Sequence, residues 1–354
     1  MDIYRPTKAT IDLGAIRRNT NKIISKYPGY KYYTAVVKAD CYGYRGNKVV
    51  KAMIDGGANS LAVSLVEEGI TLREEFPDIT ILLFNPVPIE GLNACVNHRL
   101  WVTVATKEQA IQVANVSGLD VIIRANGGSD IFGGPTTRDA FEDMWSILEN
   151  GVCNLKGIYL HSYNAEEESE TLAEYETFEN MTAGVDLSKL EFVSISNSLT
   201  LPRYSKKNYA NGCRLGNIIY RIESEDVELE HTFCLSSEIS NVFELKKGQS
   251  VAYSHAYTAK QDCEYIATVP IGFGDGFSKT NIGRTVYIGT KKYTIVAVTM
   301  DITLILVDEN IRAKDKVLLI KDNYHLDEIS NHIHGATEEA ICALNKRVYR
   351  EYID

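Results

Sequence analysis

The sequence lacks most of the features that would take it out of the soluble enzyme classes. No apolar run approaches the roughly 20 residues that a bilayer-spanning helix requires, and the opening "MDIYRPTKATIDLGAIRRN" has no leader-like apolar core. The seven cysteines (Cys41, Cys95, Cys153, Cys213, Cys234, Cys263 and Cys342) form no CxxC pair and have no histidine-rich companion. Neither a metal site nor a disulfide framework is therefore expected, and reduced thiols are the simplest reading. Positive charge is scarce: 37 Lys and Arg stand against 47 Asp and Glu, a formal net charge of -10. Nucleic acid and anionic membrane call for clustered Lys and Arg, so neither is expected as a partner. No internal repeat, low-complexity tract or Pro/Gly/Ser linker interrupts the chain. These absences leave a cytoplasmic protein acting on a small molecule.

What is present is enough apolar material, 45% of 354 residues, for one large domain or a large and a smaller one. From about residue 30, short β-branched runs alternate with helix-length amphipathic segments, as in repeated βα units. Eight such runs occur: "YTAVVKA", "SLAVS", "ITILLF", "LWVTVA", "LDVIIRA", "KGIYLH", "EFVSIS" and "GCRLG". Eight is the strand count of a TIM (β/α)8 barrel, here expected over residues 1–225. Residues 226–354 read as a mostly antiparallel β domain, with runs such as "EYIATVPIGFGDGF" and "DITLILVD" separated by short polar turns. With no linker the two parts should pack directly, and a cleft between them is a natural ligand site.

In a barrel of this kind the chemistry gathers at the C-terminal ends of the strands. Lys38 ends the first run, Arg124 the fifth and His161 the sixth; Asn197 and Ser198 follow the seventh, and Arg214 lies in the eighth. One amine, one imidazole, two guanidiniums and a hydroxyl suit an anionic cofactor and imine formation. Taken singly, each has a plainer explanation. A lone lysine is usually solvated, a lone histidine usually hydrogen-bonded structure, an arginine an ion-pair partner. Ser198 in "SNSLTLPR" would cap a helix N-terminus, although a cap and a phosphate cradle use the same free N–H groups.

"AVVKADCYGY" resembles the cofactor-lysine motif of the alanine racemases. "NGCRLGNIIY", "VAYSHAYTA", "VPIGFGDGF" and "TMDITLILV" resemble later blocks of that family in the same order, so the resemblance covers nearly the whole chain. It implies a pyridoxal 5'-phosphate enzyme that interconverts L- and D-amino acids with two bases, alanine being the default substrate. Residue by residue, it makes Lys38 the cofactor-bonding lysine and one base. Tyr253 becomes the second base, supplied by the partner subunit of a head-to-tail homodimer. Because a phenol must lose its proton to act so, a nearby cation, His161 or Arg214, is expected to help. The resemblance also puts His161 near the cofactor ring and Arg214 opposite the pyridine nitrogen. Tyr42 and Ser198, with Asn197 and the backbone of Gly216 and Asn217, hold the phosphate side, while Met300 and Asp301 line the substrate pocket.

The chain departs from the family pattern where substrate is handled. Arg124 stands where a lysine is usual, and Ile131 where an arginine holds the substrate carboxylate. An isoleucine cannot do that, so Arg124 is the expected replacement anchor. Ser194 replaces a histidine that supports the pyridine-facing arginine, Phe273 a tyrosine, Val298 an arginine, and Asn345 or Lys346 a tyrosine. The cofactor machinery thus reads as retained and the substrate contacts as altered, so the preferred amino acid need not be alanine. Two alternatives stay open: a decarboxylase of the same fold, which Arg214 opposes, and a non-catalytic cofactor-binding paralogue, which Ile131 favours.

Overall fold

The computed structural model describes residues 3–128, 133–220 and 227–354. The chain begins with strand β1 (Lys8–Asp12) and helix α1 (Leu13–Lys26), whose N-terminus is capped by Asp12 Oδ1 accepting the Ala15 N–H at 2.7 Å. There follow β2 (Tyr32–Val36), β3 (Ser60–Val63), β4 (Thr80–Leu83), β5 (Leu100–Val104), β6 (Asp120–Ala125), β7 (Asn154–Leu160), β8 (Phe192–Ser194) and β9 (Gly212–Leu215). These are the eight runs expected from the sequence. They form one parallel sheet in the order β8-β7-β6-β5-β4-β3-β2-β9. A parallel bridge between Ser196 and Cys213 brings its two edges together, with the Arg214 N–H donating to the Ser196 carbonyl at 3.0 Å. The result is the barrel, with helices packed around it.

Strand alternation explains how the barrel interior is filled and why its mouth is polar. Tyr32, Val36, Ala62, Leu82, Trp101, Ile122, Tyr159 and Phe192 form one buried interior cluster. Gly212 makes room for Phe192: a Cβ there would lie 2.5 Å from its ring. Because residues two apart on a strand share a face, the positions above Ile122, Tyr159, Phe192 and Gly212 are Arg124, His161, Ser194 and Arg214. The alternation that fills the interior therefore also aims the polar groups.

The second sheet has nine strands: β10 (Phe233–Glu238), β11 (Asn241–Leu245), β14 (Glu264–Val269), β15 (Thr285–Ile288), β16 (Lys291–Val298), β17 (Thr303–Val307), β18 (Lys316–Ile320), β19 (Tyr349–Ile353) and β1. The intervening β12 (Ser250–Val251) and β13 (Tyr257–Thr258) form a separate two-stranded ribbon. Their pairing is antiparallel throughout the large sheet except between β1 and β19. The expected division between residues 225 and 226 therefore fails for the first strand. β1 sits between β10 and β19, where Ala9 and Ile11 are fully buried and Lys8 and Thr10 bond to Glu351 at 2.9 and 3.1 Å. A barrel completed by eight strands has no edge for a ninth, whereas the seam between β10 and β19 does.

Near the C-terminus the helix Thr337–Cys342 brings Glu338 and Cys342 to the barrel mouth. It packs directly on Gly43, where φ is +78° and a Cβ would lie 2.6 Å from the Ile341 carbonyl oxygen. Glycine is required there on both counts. Among the described residues, no helix is long and apolar enough to cross a membrane.

Candidate active site

Lys38 follows β2 and leads into a turn of unusual hand. Ala39, Asp40, Cys41 and Tyr42 all have φ between +51° and +57°, a conformation that costs a non-glycine residue roughly 1–2 kcal/mol. Hydrogen bonds hold it in place. Glu68 Oε1 accepts the Ala39 N–H at 2.7 Å while its Oε2 accepts the Ser64 and Leu65 N–H groups at 3.0 and 3.1 Å. Asp40 Oδ1 accepts the Gly46 N–H at 3.0 Å. The turn puts the Lys38 and Tyr42 side chains on the same cavity.

That cavity, about 530 Å³, opens at the C-terminal ends of the barrel strands. Nine of the twelve residues singled out in the sequence line it: Lys38, Tyr42, Arg124, His161, Asn197, Ser198, Arg214, Gly216 and Asn217. Among the described residues, three cations and one carboxylate, Glu338, face it, which favours an anion.

Arg214 is almost fully buried and completely oriented. Nε donates to Ser194 Oγ at 3.2 Å, Nη2 to the Leu160 carbonyl at 2.5 Å, and Nη1 lies 3.2 Å from His161 Nδ1. Ser194 thus replaces the expected histidine as its support and passes its own O–H to the Ser196 carbonyl at 3.4 Å. Burial, with Arg124 nearby, lowers the Arg214 pKa to about 10; it remains a cation at neutral pH. Both guanidiniums lie over the Tyr159 ring, Arg214 at 5.0 Å and Arg124 at 5.8 Å from its centroid.

Since a guanidinium can only donate, His161 Nδ1 accepts, and the neutral ring carries its proton on Nε2. The surface that His161 exposes is cavity wall. Burial among protein atoms, then the cations Arg214, Arg124 and Lys38, lower its pKa to about 3. At that pKa His161 is uncharged near neutrality and has no charge with which to assist Tyr253. An unfolded-chain histidine binds a proton below about pH 6.5, but folded His161 does not until about pH 3. Its contribution to stability is full above pH 6.5 and is lost as the pH falls from there toward 3. We expect the His161 imidazole resonances, assigned with His161→Gln, to stay constant from pH 8 to 5; an inflection near pH 6.5 would refute the neutral assignment.

Three further groups converge on the cavity. A Cβ on Gly216 would lie 3.1 Å from Tyr42 Oη and 3.4 Å from Ser198 Oγ, which accepts the Gly216 N–H at 2.7 Å. Tyr42 packs against Tyr220 with ring centroids 4.8 Å apart and the rings tilted by 39°. Burial, then Glu338, pushes its phenol pKa well up, so Tyr42 is a hydrogen-bond donor at any physiological pH. Ser198 does not cap a helix as expected. Asn197 Oδ1 takes the Leu199 and Thr200 N–H groups at 2.9 and 3.0 Å, and residues 198–203 are turns. Pro202 has no N–H with which to continue a helix, and the Ser198 hydroxyl is left to the cavity.

Tyr253, Met300 and Asp301 lie outside the cavity of their own chain. Tyr253 occupies the short turn Tyr253–His255 between β12 and β13 and is 84% exposed. Met300 is 56% exposed, and Asp301 accepts from Arg347 Nη2 at 2.6 Å. Of the substituted positions, Ile131 lies outside the described residues, Val298 is buried, Phe273 and Lys346 are exposed, and Asn345 Nδ2 donates to the Gly274 carbonyl at 2.8 Å. Sequence reasoning missed Tyr159, Glu338 and Cys342. Tyr159 was recoverable, being two residues before His161 on the same face of β7. The other two reach the cavity only through the docking of the helix Thr337–Cys342 on Gly43, for which the sequence carries no local signal.

The profile described as alanine racemase, N-terminal domain, matches residues 11–224, and that of the alanine racemase C-terminal domain matches residues 232–352. Alanine racemase 1 of Bacillus subtilis (strain 168) is 29% identical over 368 residues, covering 99% of this chain and 94% of that protein. The crystal structure of alanine racemase from E. faecalis superposes with a TM-score of 0.91 at 27% identity, covering 99% of each chain. A histidine racemase from Leuconostoc mesenteroides subsp. sake shares the fold, with a TM-score of 0.85 at 20% identity over 100% of this chain and 99% of that one.

Proposed function

Because this chain belongs to the alanine racemase family and is an alanine racemase-like enzyme, we propose that it racemises a free amino acid using pyridoxal 5'-phosphate. The observation that carries this reading is the convergence of Lys38, Tyr42, Ser198 and Arg214 on one cavity. The residues fit the cofactor. The point where a Gly216 Cβ would meet Tyr42 Oη and Ser198 Oγ is a cradle for phosphate, and Lys38 and the buried Arg214 guanidinium supply an amine and a fixed cation for its ring.

When bound, pyridoxal phosphate withdraws electrons from the substrate Cα and acidifies its proton. The chain's own groups do the rest. Tyr42 and Ser198, with the backbone of Gly216 and Asn217 and the turn set by Asn197, bind the phosphate. Arg214, held by Ser194 and the Leu160 carbonyl, keeps its proton and so limits electron withdrawal, which favours return of the α-proton over other outcomes. The Lys38 amine exchanges a proton on one face of Cα, and Tyr253 of a second copy exchanges one on the other. Two bases on opposite faces invert the centre. Arg124 anchors the substrate carboxylate, and a head-to-tail homodimer in the cytoplasm completes the reading.

The substrate is an amino acid, with alanine the default member and another amino acid open. The Leuconostoc histidine racemase has this fold, which supports testing beyond alanine. The test is proton NMR of L- and D-amino acids incubated with the holoenzyme in deuterated water. Loss of the α-proton with inversion is expected for one or a few members. No exchange by any member despite bound cofactor would overturn the racemase reading and favour the non-catalytic cofactor-binding paralogue. With the responding amino acid, Arg124→Met should raise KM roughly 10- to 100-fold, the loss expected for a charge-assisted contact; an unchanged KM would remove Arg124 as anchor.

A further inference from the structure

Four separate stretches of chain meet at one buried carboxylate, far in sequence from the cavity residues. Asp275 has no exposed surface, and its Oδ1 accepts from Arg5 Nη1 at 2.8 Å with Arg347 Nε 3.3 Å away. Its Oδ2 accepts the Gly272 N–H at 3.0 Å, and its carbonyl the Asn345 N–H at 3.0 Å. The two arginines extend the cluster outward. Arg347 Nη2 reaches Asp301 at 2.6 Å, and Arg5 Nη2 donates to the Arg347 carbonyl at 2.5 Å. Backbone bonds then tie the loops together: Phe273 N–H to the Thr299 carbonyl at 3.0 Å and Gly274 N–H to the Met300 carbonyl at 2.8 Å.

A carboxylate is costly to bury unless it is paired, and such groups serve best where one geometry has to be specified. Here the geometry at stake is that of Phe273 and Met300, 40% and 56% exposed. Side chains so exposed gain little from packing within their own chain, so the backbone beneath them sets their positions. That backbone is held from Asp275.

We propose that Asp275 is a positioning residue for substrate binding. With Arg5 and Arg347 it fixes the Phe273 and Met300–Asp301 loops as the surface that a second copy of the chain uses to complete its cavity. This rests on the reading above that Met300 and Asp301 line the substrate path. Asp275 itself touches no reacting group, and its effect is on binding.

The experiment compares holoenzyme carrying Asp275→Asn, Arg347→Lys and the milder Arg5→Gln with the unaltered protein, measuring KM and kcat separately. Asp275→Asn should raise KM by about 10-fold with kcat within about 2-fold, the pattern of lost positioning rather than lost chemistry. Arg347→Lys, which keeps the charge, should fall between, and the absorbance of the bound cofactor and the sedimentation of the dimer should not change. A lowered Tm with KM unchanged would reduce Asp275 to a structural role and overturn the proposal. Should Asp275→Asn not fold, Arg5→Gln decides: KM must rise at least about 3-fold. Absence of a dimer or of racemisation in the unaltered protein would instead remove the reading on which the proposal rests.

Discussion

Lys38→Ala is expected to reduce racemisation by at least about 10⁴-fold, because the substitution removes a covalent attachment and an acid/base group at once. Among the described residues, Lys38 is the one lysine lining the cavity, so no neighbouring amine can stand in. Three readouts separate its roles. Borohydride should no longer fix the cofactor to the protein, and the visible absorbance of the bonded cofactor should be lost. Lys38→Arg should be as inactive as Lys38→Ala, since it restores the cation but not a nucleophile. A small primary amine should restore part of the activity to Lys38→Ala, where the deleted side chain leaves room for it. Retention of more than about 1% of activity in Lys38→Ala would contradict both roles, as a single positioned acid/base is already worth about 10²- to 10⁴-fold.

Tyr253→Phe should lower turnover by about 10²- to 10⁴-fold while leaving the bound cofactor's absorbance intact, which distinguishes it from Lys38→Ala. Its position makes a sharper test available. Tyr253 is 84% exposed and outside the cavity of its own chain, so a catalytic role requires a second copy. Mixing Lys38→Ala and Tyr253→Phe chains should then restore activity, because each hybrid pair has one site with both Lys38 and Tyr253. With random exchange, half the pairs are hybrids with one of two sites intact, and recovery should approach roughly a quarter of the original activity. No recovery, with hybrids demonstrated by mass, would mean that Tyr253 does not act across an interface.

Some of this architecture and chemistry was open to inspection in the residues alone. Eight β-branched runs gave eight parallel strands because a strand's pattern is set by its own residues and their alternation. The same alternation carried Arg124, His161 and Arg214 to the barrel mouth, since each continues the inward face of its strand. The missing helix after Asn197 was legible too, in a proline that the helical reading passed over.

Other features depend on groups distant in sequence. β1 lies immediately before the barrel in the chain yet pairs with β10 and β19, because a closed barrel offers no edge and an open sheet does. Glu338 and Cys342 face Lys38 across the cavity only because a helix some 300 residues further on docks against Gly43. The neutrality of His161 follows from its desolvation and from three cations drawn from different segments, none of them a sequence neighbour. The sequence by itself determined which elements form and which side chains point inward, for these are properties of local periodicity. Which sheet holds β1 and which proton states the cavity holds came only from tertiary packing, because edges, burial and charge proximity exist only once distant segments have packed.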